Sequence, residues 1–322
     1  MRSRRSQLRR RLPAFVGGTT LGLGVGALTL LGAGATTLSS AAPLATHLQM
    51  LPNHSIGRTA PVARGGTSAQ SSSSPCWASS NWSGDALSET TPSGLSCVPA
   101  SNTPYTSVTA TWTVPTVTGS SSSGGGFGGF FGFGRSSSST YSAVWTGIDG
   151  FSNDDLIQAG TEQDYSGGAA SYQAWWEILP AAETDIPSIT VKPGDSITVS
   201  IVKGGACGSE WQISLTDSTA DSASRGSPFS TCESYSGPGT SAEWVVEAPE
   251  VNGRIATLAH YGSATFGTSP SVLTVNGSDT NLAAGNSGEM EQSGSVVSIC
   301  SSATGGDAFS CAYGSTAPSP PT

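Results

Sequence analysis

Histidine is almost absent from this chain of 322 residues: there are three, and His260 is the only one beyond residue 54. A Ser-His-Asp relay needs an imidazole base and a histidine-rich metal centre needs several, so both kinds of site are excluded from the body of the sequence. Positive charge is scarce as well. Six of the 13 basic residues fall in the first 11 positions, which leaves seven against 22 acidic residues, a net charge of −15. That sign offers no basic face to phosphate and excludes nucleic acid as a partner. No Cys-x-x-Cys pair is present for zinc or redox work, no Gly-rich loop runs into Lys-Ser or Lys-Thr, and no dinucleotide fingerprint occurs. No cofactor or metal is therefore expected. Beyond residue 42 no stretch is apolar enough to span a bilayer, and no helical periodicity lasts longer than two turns.

The N-terminus does carry a pattern. Arginines in "MRSRRSQLRRRL" precede an uncharged, glycine-rich apolar run that ends near Ala41 and Ala42, the order of parts in a bacterial export signal. An uncleaved membrane anchor is the alternative, and the many glycines and threonines weigh against it. Secretion is expected, with no stable membrane association once residues 1–42 are removed. Residues 43–75 contain no acid, two arginines, two histidines and a serine run, and read as a pro-segment or linker. Their basic sign suggests that they dock on the acidic body near neutral pH and release in acid. A body this acidic sheds charge as pH falls, which suits an acidic workplace, although negative charge also keeps any secreted protein soluble.

Six cysteines follow the signal, an even number that in an exported chain reads as three disulfides. Neighbour pairing is expected (Cys76 with Cys97, Cys207 with Cys232, Cys300 with Cys311), because each pair closes a local hairpin or loop. A thiol nucleophile is thereby excluded. From Cys76 onward, short alternating or β-branched runs such as "YTSVTATWTVP", "SITVKPGDSITVSIVK" and "SAEWVVEAP" are separated by Gly, Ser, Pro and Asp. The spacing predicts one all-β domain over 76–315, a sandwich of two antiparallel sheets, and a disordered tail at 316–322. Residues 118–140, "TGSSSSGGGFGGFFGFGRSSSST", read as a flexible loop insertion whose phenylalanines either form a flap or are simply solvated.

With imidazole, thiol and metal set aside, any chemistry must come from carboxylates and amides. Gln158 follows Leu156 and Ile157, Asp149 sits in "GIDG", and Glu177 follows Trp175 and Trp176. Each has a structural reading: an edge hydrogen bond, a turn residue, an exposed strand glutamate. With Trp145, Trp175 and Trp176 nearby, they also suit a groove for an extended ligand. In "SAEWVVEAPE" an extended chain puts Glu243, Val245 and Glu247 on one face and Trp244 and Val246 on the other. Four residues at about 3.4 Å each set Glu243 and Glu247 roughly 13 Å apart, too far for a glycosidase pair. A two-carboxylate glycosidase using Glu177 and Glu247, and a carbohydrate-binding sandwich with tryptophans on a concave face, both remain open.

Seven blocks then resemble one family in order and spacing: "NWSG" (81–84), "VTATWTVP" (108–115), "AVWTGIDG" (143–150), "LIQAG" (156–160), "YQAWWEILP" (172–180), "VKPGDSITVSI" (191–201) and "AEWVVE" (242–247). They resemble the glutamic peptidases, the eqolisin family, over roughly residues 79–313. The resemblance implies a concanavalin-like or jelly-roll-like sandwich whose concave face takes an extended polypeptide, in a monomeric, secreted, acid-acting endopeptidase. It carries a catalytic pair onto Gln158 and Glu247, and substrate-binding or supporting roles onto Trp145, Asp149, Trp175 and Glu177. The chain departs from the family in lacking a cysteine just after "GIDG", in having Glu162 where an aspartate is usual, and in adding the glycine-rich loop.

Overall fold

The structure, a computed structural model, describes residues 62–63, 75–89, 104–119, 139–219, 226, 228–267, 273–280, 282, 287–303, 305 and 308–321. The expected export signal, Cys97, most of the 43–75 segment and residues 120–138 of the glycine-rich loop lie outside these. Of the 43–75 segment, Val62–Ala63 forms a short strand antiparallel to Trp77–Ser79.

Among the described residues thirteen strands of four or more residues follow in chain order. They are β1 (Trp82–Ser88), β2 (Ser107–Thr113), β3 (Ala143–Ile148), β4 (Ile157–Ser166), β5 (Ala169–Ile178), β6 (Ser196–Lys203) and β7 (Trp211–Asp217), then β8 (Phe229–Glu233), β9 (Ser241–Glu247), β10 (Ser263–Phe266), β11 (Ser287–Gln292), β12 (Ser295–Cys300) and β13 (Phe309–Tyr313). The one helical turn among the described residues is a 3-10 turn at Gly205–Cys207.

Pairing runs in the spatial order β5-β4-β3-β9-β1-β11, a near layer, and β2-β6-β7-β8, a far layer. Strands β12, β13 and β10 carry the ladder round the edge from β11 to β2. β2 packs on β3, and β6 on β3 and β4, so the two layers face each other as the predicted sandwich. Its core is filled by Val108, Ala110 and Trp112 of β2, Val144 and Ile148 of β3, Ile197, Val199 and Ile201 of β6, and Trp244 and Val246 of β9.

The two layers differ in what covers them. β6 alternates buried and half-buried or exposed residues, the signature of a sheet with one wet face. Its outer side is a field of hydroxyls, with Thr109 bonded to Ser200 at 3.0 Å and Thr111 to Thr198 at 2.8 Å. β9, by contrast, is buried at every position. A second apolar cluster explains this: Trp82, Trp145, Trp175 and Val245 on the outer side of the near layer pack with Trp77, Phe151, Leu156 and Leu179. The strand read from "SAEWVVE" is thus enclosed on both sides, because residues from turns and a neighbouring short strand roof the face that carries its glutamates.

Two of the expected disulfides are present, Cys207–Cys232 joining the 3-10 turn to β8, and Cys300–Cys311 linking β12 to β13. Cys76 is disulfide-bonded as well.

Candidate active site

β3 is the middle of the roofed face. Trp145 lies opposite Val245 of β9 on one side and Gly160 of β4 on the other, and Gly160 lies opposite Trp175 of β5. Because side chains alternate, every residue in register with Ala143, Trp145 or Gly147 shares this face. Gln158 and Glu177 are in the Gly147 row, as is Glu243; Glu247 and Glu162 are in the Ala143 row. Gln158 and Glu247 therefore occupy the same surface, two strands apart and offset along the strands by roughly 13 Å.

Trp145 bridges that diagonal, while Glu177, on β5, flanks Gln158 on the side away from β9. Trp145 stands in the row between, and its Nε1 donates to Glu247 Oε2 at 2.7 Å. Room for the indole comes from Gly160, where a Cβ would lie 2.6 Å from Trp145 Cβ and 2.4 Å from the Val144 carbonyl. Trp82 meets the Trp145 ring edge to face at 4.9 Å. Glu177 accepts from Gln158 Nε2 at 2.6 Å. Burial pushes the Glu177 carboxyl up to about 8; the bond from Gln158 opposes this, and the Glu247 carboxylate is near enough to raise it further. Gln158, Glu177 and Glu247 are only 1%, 3% and 3% exposed, which removes the reading of Glu177 as an exposed strand glutamate.

Asn81 completes the Glu247 environment, donating from Nδ2 to Oε1 at 3.2 Å, with its own Oδ1 held by Ser79 Oγ at 3.1 Å. Sequence reasoning missed this residue. It is the first of an N-W-S glycosylation triplet, but it is fully buried, and the only signal for its role was its place in the "NWSG" block. Two further polar atoms on the face, Gln158 Oε1 and Trp175 Nε1, are buried without a hydrogen-bond partner.

Glu243 shares the face but is screened from Gln158. The space over Gly147, which separates it from Gln158 in their shared row, is taken by Leu156 Cδ1 and the Trp145 ring, each 3.1 Å from where a Cβ would sit. Its charge acts instead on Tyr235, whose hydroxyl is pushed up by burial first and then by the Asp149 carboxylate, with Asp155 and Glu243 adding. Asp149 is at φ 69° and accepts from Tyr235 Oη, Gly239 N, Thr240 N, Thr240 Oγ1 and Asn153 Nδ2 at 2.7 to 3.1 Å. Its carboxylate is thus spent on tying the turn after β3 to the segment before β9.

The same face continues along β4 into an acidic patch. Burial pushes Asp164 up to about 7 against a backbone hydrogen bond at Ser142, and raises Glu162, to which Asp164, Glu183 and Asp185 add. Among the described residues no group of three or more His, Cys, Asp or Glu side chains is arranged to hold a metal ion. A sugar-binding platform would present its tryptophans to solvent. Here Trp82, Trp145 and Trp175 are all buried, so the geometry does not favour that alternative.

Comparison with known proteins agrees with the sandwich fold. Residues 80–313 match the Peptidase A4 family. Aspergillopepsin-2 of Aspergillus niger is 32% identical over 219 residues, which are 65% of this chain and 73% of that protein. Scytalido-glutamic peptidase, solved with a transition state analog inhibitor, matches in fold with a TM-score of 0.52 at 23% identity, over 73% of this chain and 98% of its own.

Proposed function

The chain belongs to the Peptidase A4 family and is a glutamic endopeptidase, and from that premise we propose that it is exported, works in acid, and hydrolyses extended polypeptides with Gln158 and Glu247 as its catalytic pair. The observation that carries the pair is the buried group on the near layer: Glu247 held by two N–H donors, Gln158 held by Glu177, and Glu177 within electrostatic reach of Glu247. The arginine-led N-terminus, the disulfides and the acidic body support export into an oxidising, acidic medium.

Hydrolysis without metal or covalent nucleophile needs a base for water, a donor for the oxyanion and an acid for the leaving amine. As a carboxylate, Glu247 takes a proton from water, and the hydroxide adds to the carbonyl carbon. The oxygen that gains the charge is met by the Gln158 NH2. Glu247 then gives its proton to the nitrogen as the C–N bond breaks, which returns it to the carboxylate. Gln158 neither gains nor loses a proton in this range, so it acts by hydrogen bonding, its NH2 donating to the oxyanion and its carbonyl free to accept. Trp145 and Asn81 fix the Glu247 carboxylate, while Trp175 and the roof over the face keep bulk water out. Asp149 supports the site from behind by locking the turn after β3.

The test is a set of three variants assayed on a denatured protein substrate in acid. Glu247→Gln and Gln158→Ala are each expected to abolish turnover with the fold intact, and Glu243→Gln to keep most of it. Equal loss at Glu243 would assign the base to the wrong glutamate, and glycan binding without cleavage would discard the hydrolytic reading.

A further inference from the structure

The two ends of a glutamine amide fill nearly the same space, so hydrogen bonding decides which end faces a partner. With Nε2 turned to Glu177, three features of Gln158 conflict. Its carbonyl Oε1 is buried with no partner. The contact to Glu177 Oε2 is 2.6 Å, short for a neutral N–H donor and ordinary for O–H to oxygen. The NH2 is also directed at a carboxyl group, away from any oxyanion it is meant to stabilise. Turning the amide over removes all three conflicts, provided that Glu177 has a proton to give.

We propose that Glu177 is a positioning residue: as a neutral acid it donates its O–H to Gln158 Oε1, which leaves the Gln158 NH2 facing the scissile carbonyl, and loss of that proton reverses the amide and withdraws the oxyanion donor. The proposal rests on the Gln158 and Glu247 reading above. The geometry supplies the proton. Glu177 is buried beside Gln158 of β4, and burial with the nearby Glu247 charge holds its carboxyl at about 8. The other titratable groups on this face are Glu243 and Glu247 of β9, Glu162 and Asp164 of β4, and Asp185 of the short strand beside β5. All are acids, so each one that ionises favours the neutral form of Glu177, whereas the residues of β3 and β1 in these rows carry no titratable group. One carboxyl of the site is thereby kept neutral while Glu247 carries the working charge.

Measured on the full secreted chain, kcat and KM across the acid range and up to about pH 8 would compare wild type with Glu177→Leu and Glu177→Gln, with tryptophan fluorescence marking the folded range. Leucine removes the donor and is expected to lower kcat by ~10²- to 10³-fold, the usual loss of one oxyanion donor, with little change in KM. Glutamine can donate to Oε1 without a titratable proton. It should recover most of that loss and hold its kcat to higher pH than wild type. Infrared difference spectra at about pH 6 should show one protonated carboxyl band that Glu177→Gln lacks. Glutamine as impaired as leucine, a loss confined to KM, or no missing carboxyl band each overturns the proposal. Should Gln158→Ala remain fully active, the catalytic pair itself fails, and this role for Glu177 fails with it.

Discussion

Replacing Asp164 by asparagine should change how stability depends on pH, in an amount that follows from one buried carboxyl. Asp164 is buried on β4, its Oδ1 has no partner, and burial moves its carboxyl from an ordinary 3.8 to about 7. The native protein therefore keeps this proton through an interval in which the unfolded chain has already lost it. Protons bound preferentially by the native state make stability fall as pH rises, so the contribution is intact below about 4 and lost as pH climbs through about 7. At 1.36 kcal/mol per pH unit the interval from 3.8 to about 7 amounts to ~4 kcal/mol. That is a large part of the ~5–15 kcal/mol that holds a typical domain together. Asparagine has the same shape and cannot ionise. The variant should match wild type within ~1 kcal/mol at about pH 4 and exceed it by up to ~4 kcal/mol at about pH 7, because removing the Asp164 charge also relieves Glu162. Urea unfolding followed by tryptophan fluorescence at the two pH values yields the four free energies needed. If wild type and variant lose the same stability between them, burial of Asp164 is not what makes this fold prefer acid.

Four other outcomes are expected. Trp145→Phe keeps most of the ring but removes the N–H on Glu247, and a bond to a charged group is worth ~1.5–3 kcal/mol; kcat/KM should drop by ~10- to 100-fold, read by steady-state kinetics. Gly160→Ala forces a Cβ to within 2.4 Å of the Val144 carbonyl and 2.6 Å of Trp145 Cβ; it should cost ~1–3 kcal/mol in denaturant unfolding and displace the indole, so activity falls with stability. Asp149→Ala strands buried donors from four residues and should lower stability by ~2–4 kcal/mol; a raised KM at unchanged stability would instead make it a substrate contact. Replacing Cys300 and Cys311 by serine opens a loop with a sequence separation of 11 and should cost ~2–3 kcal/mol by the same unfolding measurement.

Much of the sandwich was legible because its signals are local. The alternation in "SITVSIVK" and "SAEWVVE" sorts side chains correctly, with Trp244 and Val246 in the main core and Val245 in the second cluster. Cys207–Cys232 and Cys300–Cys311 followed from sequence proximity alone, and for the latter the two residues lie directly opposite each other on paired strands. What the sequence could not display are contacts assembled from distant places. The roof over Glu243 and Glu247 comes from Trp77, Phe151, Leu156 and Leu179, none of which is near β9 in the chain. Asp149 takes most of its donors from residues 86 to 91 positions away, so its local context as a turn residue in "GIDG" gave only half its role. Asn81 reads as a surface glycosylation triplet until 166 residues of chain return to put Glu247 against it.

The enclosed face sorts its carboxylates by the donors they meet. Glu247 receives two N–H groups, from Trp145 and Asn81, and neither can take a proton away from it, so the pocket is built around an ionised carboxylate. Among the described residues Glu177 receives an amide that can turn over, and it is pushed up by burial and by Glu247 itself. Asp164 and Glu162 lie further along β4 in an acidic patch, where burial raises both and the neighbouring acids raise Glu162 further. On the proposed reading, two acids whose surroundings pull them apart divide base from donor in a site made of carboxyl groups. Lowering the pH favours the neutral forms of Asp164, Glu162 and Glu177, whose carboxyls burial raises, and so favours the folded sheet. An activity that persisted undiminished above the pH at which Glu177 ionises, in a protein still folded there, would contradict that division of labour.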